Sequence, residues 1–128
     1  MRRGLTLMET VVSCFVLALV LIALFNIFPT SMYALKQGEN QIVADQMAQS
    51  VLEVYRADSF EFLDANLGTV TLADQKLGGV TFRSDLEIFN PPGTRDDLVK
   101  GLRVTVNWTF QGKIRNVVRE TWVSAVRP

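Results

Sequence analysis

The sequence predicts an α+β protein in which one long N-terminal helix packs on an antiparallel sheet of three or four strands. Up to about residue 58 the apolar residues follow helical spacing, whereas the second half alternates apolar and polar residues with the period of a strand. An apolar sheet face needs a cover, and a helix with one apolar side supplies it. The chain of 128 residues has room for one small domain and an additional apolar segment.

The first part of the predicted helix has the composition of a membrane span. Thr10 to Phe28 is a run of 19 residues without a charge, which is about the minimum length for crossing a bilayer. Arg2 and Arg3 precede the run, and positive residues stay on the cytoplasmic side. We therefore expect a single-pass protein with its N-terminus in the cytoplasm and the chain after about residue 30 outside. Pro29 either kinks the helix or marks the membrane exit.

The second part of the helix is predicted to be amphipathic and to run to about residue 58. Its polar side carries Asp45, Gln49 and Glu53. Its apolar residues recur at the spacing of one helical face, and they are Ala44, Met47, Ala48, Val51, Leu52 and Tyr55. This face is the predicted cover of the sheet.

The sheet is predicted over residues 69–127. Val70–Leu72 and Val80–Phe89 are expected strands, separated by a turn at Gly78-Gly79. The Asn90-Pro91-Pro92-Gly93 segment predicts a loop over about 90–100.

The C-terminal part of the sheet is predicted as a hairpin. From Leu102 to Phe110 apolar residues alternate with polar ones, which indicates a strand with one buried face. Gln111-Gly112-Lys113 predicts a short turn, and Ile114–Val126 the last strand. Trp108 and Trp122 are expected to face each other or the core across this hairpin.

The composition argues against an enzyme and predicts no cofactor or metal. The chain has no His, which removes the usual general base and the commonest metal ligand. Cys14 is the single cysteine, so an intramolecular disulfide and a thiolate zinc site are excluded. Lys and Arg together number 13, as do Asp and Glu, so net charge makes no case for nucleic acid as a partner.

The most informative residue is Glu9, at the start of the apolar helix. An acidic side chain at the centre of a membrane helix costs about 2.5–3.5 kcal/mol, and less near an end. A cut after Gly4 would place a new amino group on Leu5, one helical turn from Glu9. Between adjacent subunits, the carboxylate of one would meet the terminal amine of the next, where apolar surroundings screen the pair weakly. Such a contact would favour one axial stagger, because an unpaired Glu9 is penalised.

The N-terminal pattern resembles the class III signal of type IV pilins and pseudopilins. It consists of a short basic leader, Gly4, an apolar residue, Thr6, Leu7, a further residue and Glu9, followed by an apolar helix. The resemblance implies that a prepilin peptidase cuts between Gly4 and Leu5 and methylates the new N-terminus on Leu5. It also implies that Glu9 acts in assembly.

The same resemblance implies a domain order and a set of partners. Residues 1–4 would be the leader, 5–29 the transmembrane and filament-core helix, and 30–128 the extracytoplasmic pilin-like domain. The partners would be other pilin or pseudopilin subunits, the prepilin peptidase, and the assembly platform and ATPase of a bacterial inner membrane. The final location would be a filament of a pilus, a type II secretion system or a DNA-uptake machine.

Two later segments are similar to the minor subunits called pilin V and pseudopilin I. They are the helix segment Gln46–Glu53 and the hairpin of Leu102–Trp108 with Glu120–Val123. Such subunits are associated with the filament tip or with starting assembly. The chain departs from the family in beginning its mature form with Leu5 instead of Phe, and in carrying its proline at 29 instead of about one turn earlier.

Other interpretations of these features remain open. A secretory signal peptide or an uncleaved signal anchor also explains the arginines and the apolar run, but neither explains Glu9. A strip of arginines on the last hairpin is a candidate DNA contact, formed by Arg103, Arg115, Arg119 and Arg127. A group of acids near the loop is a candidate calcium site, formed by Asp85, Glu87, Asp96 and Asp97.

Overall fold

The computed structural model describes Gly4 and residues 6–125, and the chain divides into two compact units, one ending at Gly38 and one beginning at Glu39. The elements, in chain order, are helix α1 (Leu7–Arg56), helix α2 (Phe60–Ala65) and strands β1 (Gly68–Thr71), β2 (Gln75–Leu77), β3 (Val80–Phe89), β4 (Val99–Phe110) and β5 (Lys113–Ser124). The predicted α+β class, with a long N-terminal helix and an antiparallel sheet, is confirmed.

In the first unit, residues 10–28 of α1 carry no charge and are all exposed. The helix passes through Pro29 without ending, so the proline does not mark a helix terminus. Pro29 has no backbone N–H to donate. Separately, the hydroxyls of the two residues that follow donate to carbonyls of the preceding turn, from Thr30 to Asn26 at 3.2 Å and from Ser31 to Ile27 at 3.0 Å.

In the second unit, α1 has one buried face, as its spacing predicts. Ala44 and Ala48 are fully buried, and Leu52 is buried at the same helical face. Met47, Val51 and Tyr55 are partly buried against the same core. The two alanines have no side-chain volume beyond Cβ, which lets the helix backbone approach the sheet. Asn40 is also buried, one turn before Ala44, and helical spacing alone did not identify it.

The sheet has five strands, where the sequence predicted three or four. Its order is β1-β3-β4-β5, and β2 pairs with β3 beside β1. Both short strands therefore share one edge of β3: β1 pairs with Asp85–Ile88 and β2 with Val80–Phe82. All three residues of the additional strand, β2, are exposed. Its sequence therefore lacks the alternation of apolar and polar residues that predicts a half-buried strand.

The sheet core is built by alternate residues of β3 and β4. On β3 they are Phe82, Leu86 and Ile88, and on β4 they are Leu102, Val104, Val106 and Trp108. Leu63 of α2 closes the same core and is fully buried. Ser59 caps α2, because its hydroxyl accepts a hydrogen bond from the backbone N–H of Phe62 at 3.2 Å.

The prediction for the two tryptophans is right for Trp108 and wrong for Trp122. Trp108 lies in the core, whereas Trp122 lies on the opposite sheet face and is 53% exposed. The hairpin turn explains this difference. Gln111 and Gly112 both have positive φ, and this two-residue turn pairs Trp108 with Arg115 and Gly101 with Trp122. Even-numbered residues of β4 therefore share a face with odd-numbered residues of β5.

Candidate assembly site

Glu9 lies in the first turn of α1 and takes part in the cap of the helix. The hydroxyl of Thr6, just before the helix, accepts a hydrogen bond from the backbone N–H of Glu9 at 3.3 Å. The Thr6 carbonyl accepts from the backbone N–H of Thr10 at 3.1 Å. Thr6 is therefore the N-cap residue and Glu9 the third helical residue, which is the sequence spacing of a capping box.

The cap gives Glu9 a local role that the sequence analysis missed, although the Thr-x-x-Glu spacing was visible. An acidic side chain in the first turn interacts favourably with the helix dipole, by about 0.3–1 kcal/mol at an exposed site. Glu9 is exposed, and no described residue forms an ion pair with its carboxylate. The carboxylate is therefore accessible to a cation from another molecule.

The helix surface after Glu9 is exposed and apolar. The most apolar 18-residue window of α1 has a mean hydropathy of 2.8, and none of it is buried within the chain. Phe15, Phe25 and Phe28 expose 64%, 76% and 74% of their surface. By length and composition this helix is able to cross a membrane. A continuous apolar surface of this kind is covered in a working protein, by lipid or by other helices.

Gly4 lies two residues before the cap and is exposed. A Cβ atom added to Gly4 would meet no atom within 4 Å, so the surrounding structure does not require a glycine there. The other residues of the predicted processing site, Leu5 with Arg2 and Arg3, lie outside the described residues. The structure therefore brings Thr6 and Glu9 together and leaves Gly4 accessible.

Two of the three described arginines of the predicted strip, Arg103 and Arg119, pair with carboxylates. Arg103 contacts Glu87 at 2.9 Å and Glu120 at 3.1 Å, and Arg119 pairs with Asp45 of α1. Arg127 lies outside the described residues. The Trp122 indole N–H donates to Glu120 at 3.1 Å, and this bond, with the charge of Arg103, holds the pKa of Glu120 below its ordinary value. The positive charges of Arg103 and Arg119 are thus balanced by neighbouring carboxylates.

The acids near the loop do not converge on one point. Within the described part of the chain, no three acidic or cysteine side chains are placed to share a metal ion. Asp97 instead pairs with Arg95 at 2.8 Å, which lowers the pKa of the Asp97 carboxyl.

Comparison of the chain with protein-family models, with curated proteins and with solved structures gave no match.

Proposed function

We propose that this chain is a minor pilin or pseudopilin, a structural subunit that a prepilin peptidase cleaves after Gly4 and methylates on Leu5. The observation that carries the proposal is the position of Glu9, an exposed residue in the first turn of a helix whose most apolar 18-residue window has no buried residue. An acid in such a helix is unfavourable in lipid unless a cation neutralises it. The amino terminus of a processed neighbouring subunit supplies that cation.

In this proposal the two units have separate tasks. The first unit anchors the subunit in the inner membrane and then packs with other helices in the filament core. The Glu9 carboxylate of one subunit pairs there with the Leu5 amine of another, and the penalty for an unpaired Glu9 selects one axial stagger. The second unit presents its sheet outside the membrane and carries the specificity for partners of a pilus or a secretion or DNA-uptake machine.

The assembly role of Glu9 is tested by comparing two variants that act on the same helix cap. Glu9→Gln keeps the side-chain shape and removes the charge, whereas Thr6→Ala removes the hydroxyl that caps the helix. We expect Glu9→Gln to abolish incorporation into filaments and Thr6→Ala to retain most of it. The measurement is the amount of each variant in sheared filaments, relative to its amount in the membrane. Equal losses in both variants would show that Glu9 acts only through the cap, and full incorporation of Glu9→Gln would refute its assembly role.

Processing is tested at Gly4. Because a Cβ at Gly4 meets no neighbouring atom, Gly4→Leu should leave the fold intact and block cleavage. We expect the wild type to lose its first four residues and the variant to keep them, as measured by intact mass. A wild type that keeps Met1 would support an uncleaved signal anchor, and a cut beyond Phe28 would support an exported soluble domain.

A further inference from the structure

The charged side chain of Lys100 is buried at the end of the sheet, between α2 and the loop that joins β3 to β4. Lys100 is 1% exposed. Its Nζ atom lies 2.7 Å from Oδ1 of Asp64 and 2.6 Å from Oδ1 of Asn90. The ring of Phe60 covers Nζ, with the ring centroid at 5.8 Å. A buried primary amine thus meets a carboxamide and a carboxylate beside an aromatic ring, and both Asn90 and Asp64 are exposed to solvent.

The backbone fixes the amine and the carboxamide relative to each other. The last pair between β3 and β4 joins Phe89 to Gly101, and Asn90 and Lys100 are the next residues outward. Side chains alternate along a strand, so Asn90 follows Ile88 and Lys100 precedes Leu102 on the core side of the sheet. The carboxamide carbon of Asn90 is one bond from the oxygen that Nζ contacts. Groups held so close react with a high effective molarity.

We propose that Lys100 and Asn90 form an intramolecular isopeptide bond, with Asp64 as the proton-transfer group. Asp64 accepts a proton from the Lys100 ammonium, and the lone pair of the neutral amine attacks Cγ of Asn90. The carbonyl electrons move to Oδ1 and then return as the bond from Cγ to Nδ2 breaks. Asp64 relays the proton of the attacking nitrogen to Nδ2, which leaves as ammonia. The ammonia takes the first proton from Asp64 and departs as ammonium, so ammonium and carboxamide become a secondary amide and a free ammonium ion.

The surroundings suit each part of this step. The Lys100 amine is buried, and the Asp64 carboxylate lies 2.7 Å from it, in position to exchange a proton. Asp64 is 59% exposed, which gives the ammonia a route to water. The bond would join the end of β3 to the start of β4 and close the 90–100 loop covalently. The alternative hypothesis is a permanent ion pair that holds α2 against the sheet. The protein masses that the two hypotheses predict differ by one ammonia.

The test is the mass of the purified full-length protein and of its tryptic peptides. We expect a mass lower by one ammonia, and a branched peptide that joins Ser84–Arg95 to Asp96–Arg103 through Asn90 and Lys100. Succinimide formation at Asn90, which also releases ammonia, needs the backbone N–H of the next residue, and Pro91 has none. A loss of ammonia that maps to Asn90 is therefore diagnostic. Recovery of the wild type at full mass, with the two peptides separate and trypsin cutting after Lys100, overturns the proposal.

Two variants separate the chemistry from the ion pair. Asp64→Asn keeps the amine and the carboxamide, and Asn90→Asp keeps an oxygen beside Nζ. We expect both to stay at full mass, without the branched peptide, while the fluorescence of the two tryptophans, both in the second unit, reports that this unit is folded. An Asp64→Asn protein that is cross-linked as fully as the wild type would overturn the role of Asp64. The peptides involved contain no N-terminal residue, so the result is independent of cleavage after Gly4.

Discussion

The two units use the same helix in opposite ways. Before Gly38 the large apolar side chains of α1 are exposed, and Leu24 for example exposes 55% of its surface. After Glu39 the same helix buries one face against the sheet, and Ala44 and Ala48 have no exposed surface. A buried apolar residue of the second unit therefore stabilises the fold of this chain, whereas an exposed one in the first unit adds little to it. Matched substitutions in the two units test this difference.

The largest difference is expected between two leucine-to-alanine variants. Leu86 on β3 is fully buried, so Leu86→Ala leaves a cavity in the sheet core and should lower the free energy of unfolding by about 2–5 kcal/mol. Leu24→Ala removes the same atoms from an exposed position of α1 and should leave that free energy unchanged. Urea unfolding in mild detergent, followed by the fluorescence of the two tryptophans, measures both. Equal destabilisation by the two variants would contradict the distinction between a buried core in the second unit and an exposed apolar surface in the first.

A smaller effect of opposite sign is expected for two glycine-to-alanine variants. A Cβ at Gly101 of β4 would overlap the ring of Phe89, which stacks on Arg103 with the guanidinium 4.7 Å from the ring centroid. Gly101→Ala should therefore destabilise the second unit by about 1–3 kcal/mol. A Cβ at Gly38 meets no atom within 4 Å, so Gly38→Ala should stabilise α1 by up to about 1 kcal/mol. Thermal unfolding followed by circular dichroism compares the two, and a stabilised Gly101→Ala protein would contradict the close packing of Phe89.

The smallest effect is expected from pH and belongs to the exposed face of the sheet. The folded state holds the pKa of Glu120 below its ordinary value, first through the Trp122 hydrogen bond and then through Arg103. A lowered folded-state pKa adds stability above the pKa of the unfolded chain, about 4.3, and this stability is lost as the pH falls through the folded value. Trp122→Phe removes the indole N–H and keeps an aromatic ring.

We therefore expect Trp122→Phe to lose less stability than the wild type as the pH falls from about 5 to about 3. This range contains the ordinary pKa of Glu. Urea unfolding at a series of pH values measures this slope. Because Glu120 is more than one-third exposed, solvent screens its interactions and the change is small. Identical slopes in the two proteins would show that the hydrogen bond does not hold Glu120.

The features that sequence predicted best are those with strong local signals. The bounds of β3 agree with the prediction at both ends, because Gly78-Gly79 precedes it and Asn90-Pro91 follows it. The buried face of α1 follows from its spacing alone. The features that sequence missed depend on partners distant in the chain. Helix α2 has six residues, too few for a period, and only the Ser59 cap signals it.

Lys100 and Trp122 show why side-chain environments are harder to predict than elements. Lys100 was assigned to a loop of about 90–100, yet β4 already begins at Val99, and Asp64 and Asn90 come together around the Lys100 amine. The exposure of Trp122 depends on the two-residue turn, which sets the register of β4 and β5 and thereby the face of every residue on β5. For the candidate assembly site, the sequence indicated Gly4, Leu5 and Glu9, and the structure added the Thr6 cap.

The proposed function is tested most directly by the mass of the N-terminal peptide of the protein extracted from bacterial membranes. A processed subunit would begin at Leu5 and carry one added methyl group on its amino nitrogen. A peptide that begins at Met1, with no methyl group, would contradict cleavage and with it the pairing of Glu9 with a neighbouring amino terminus.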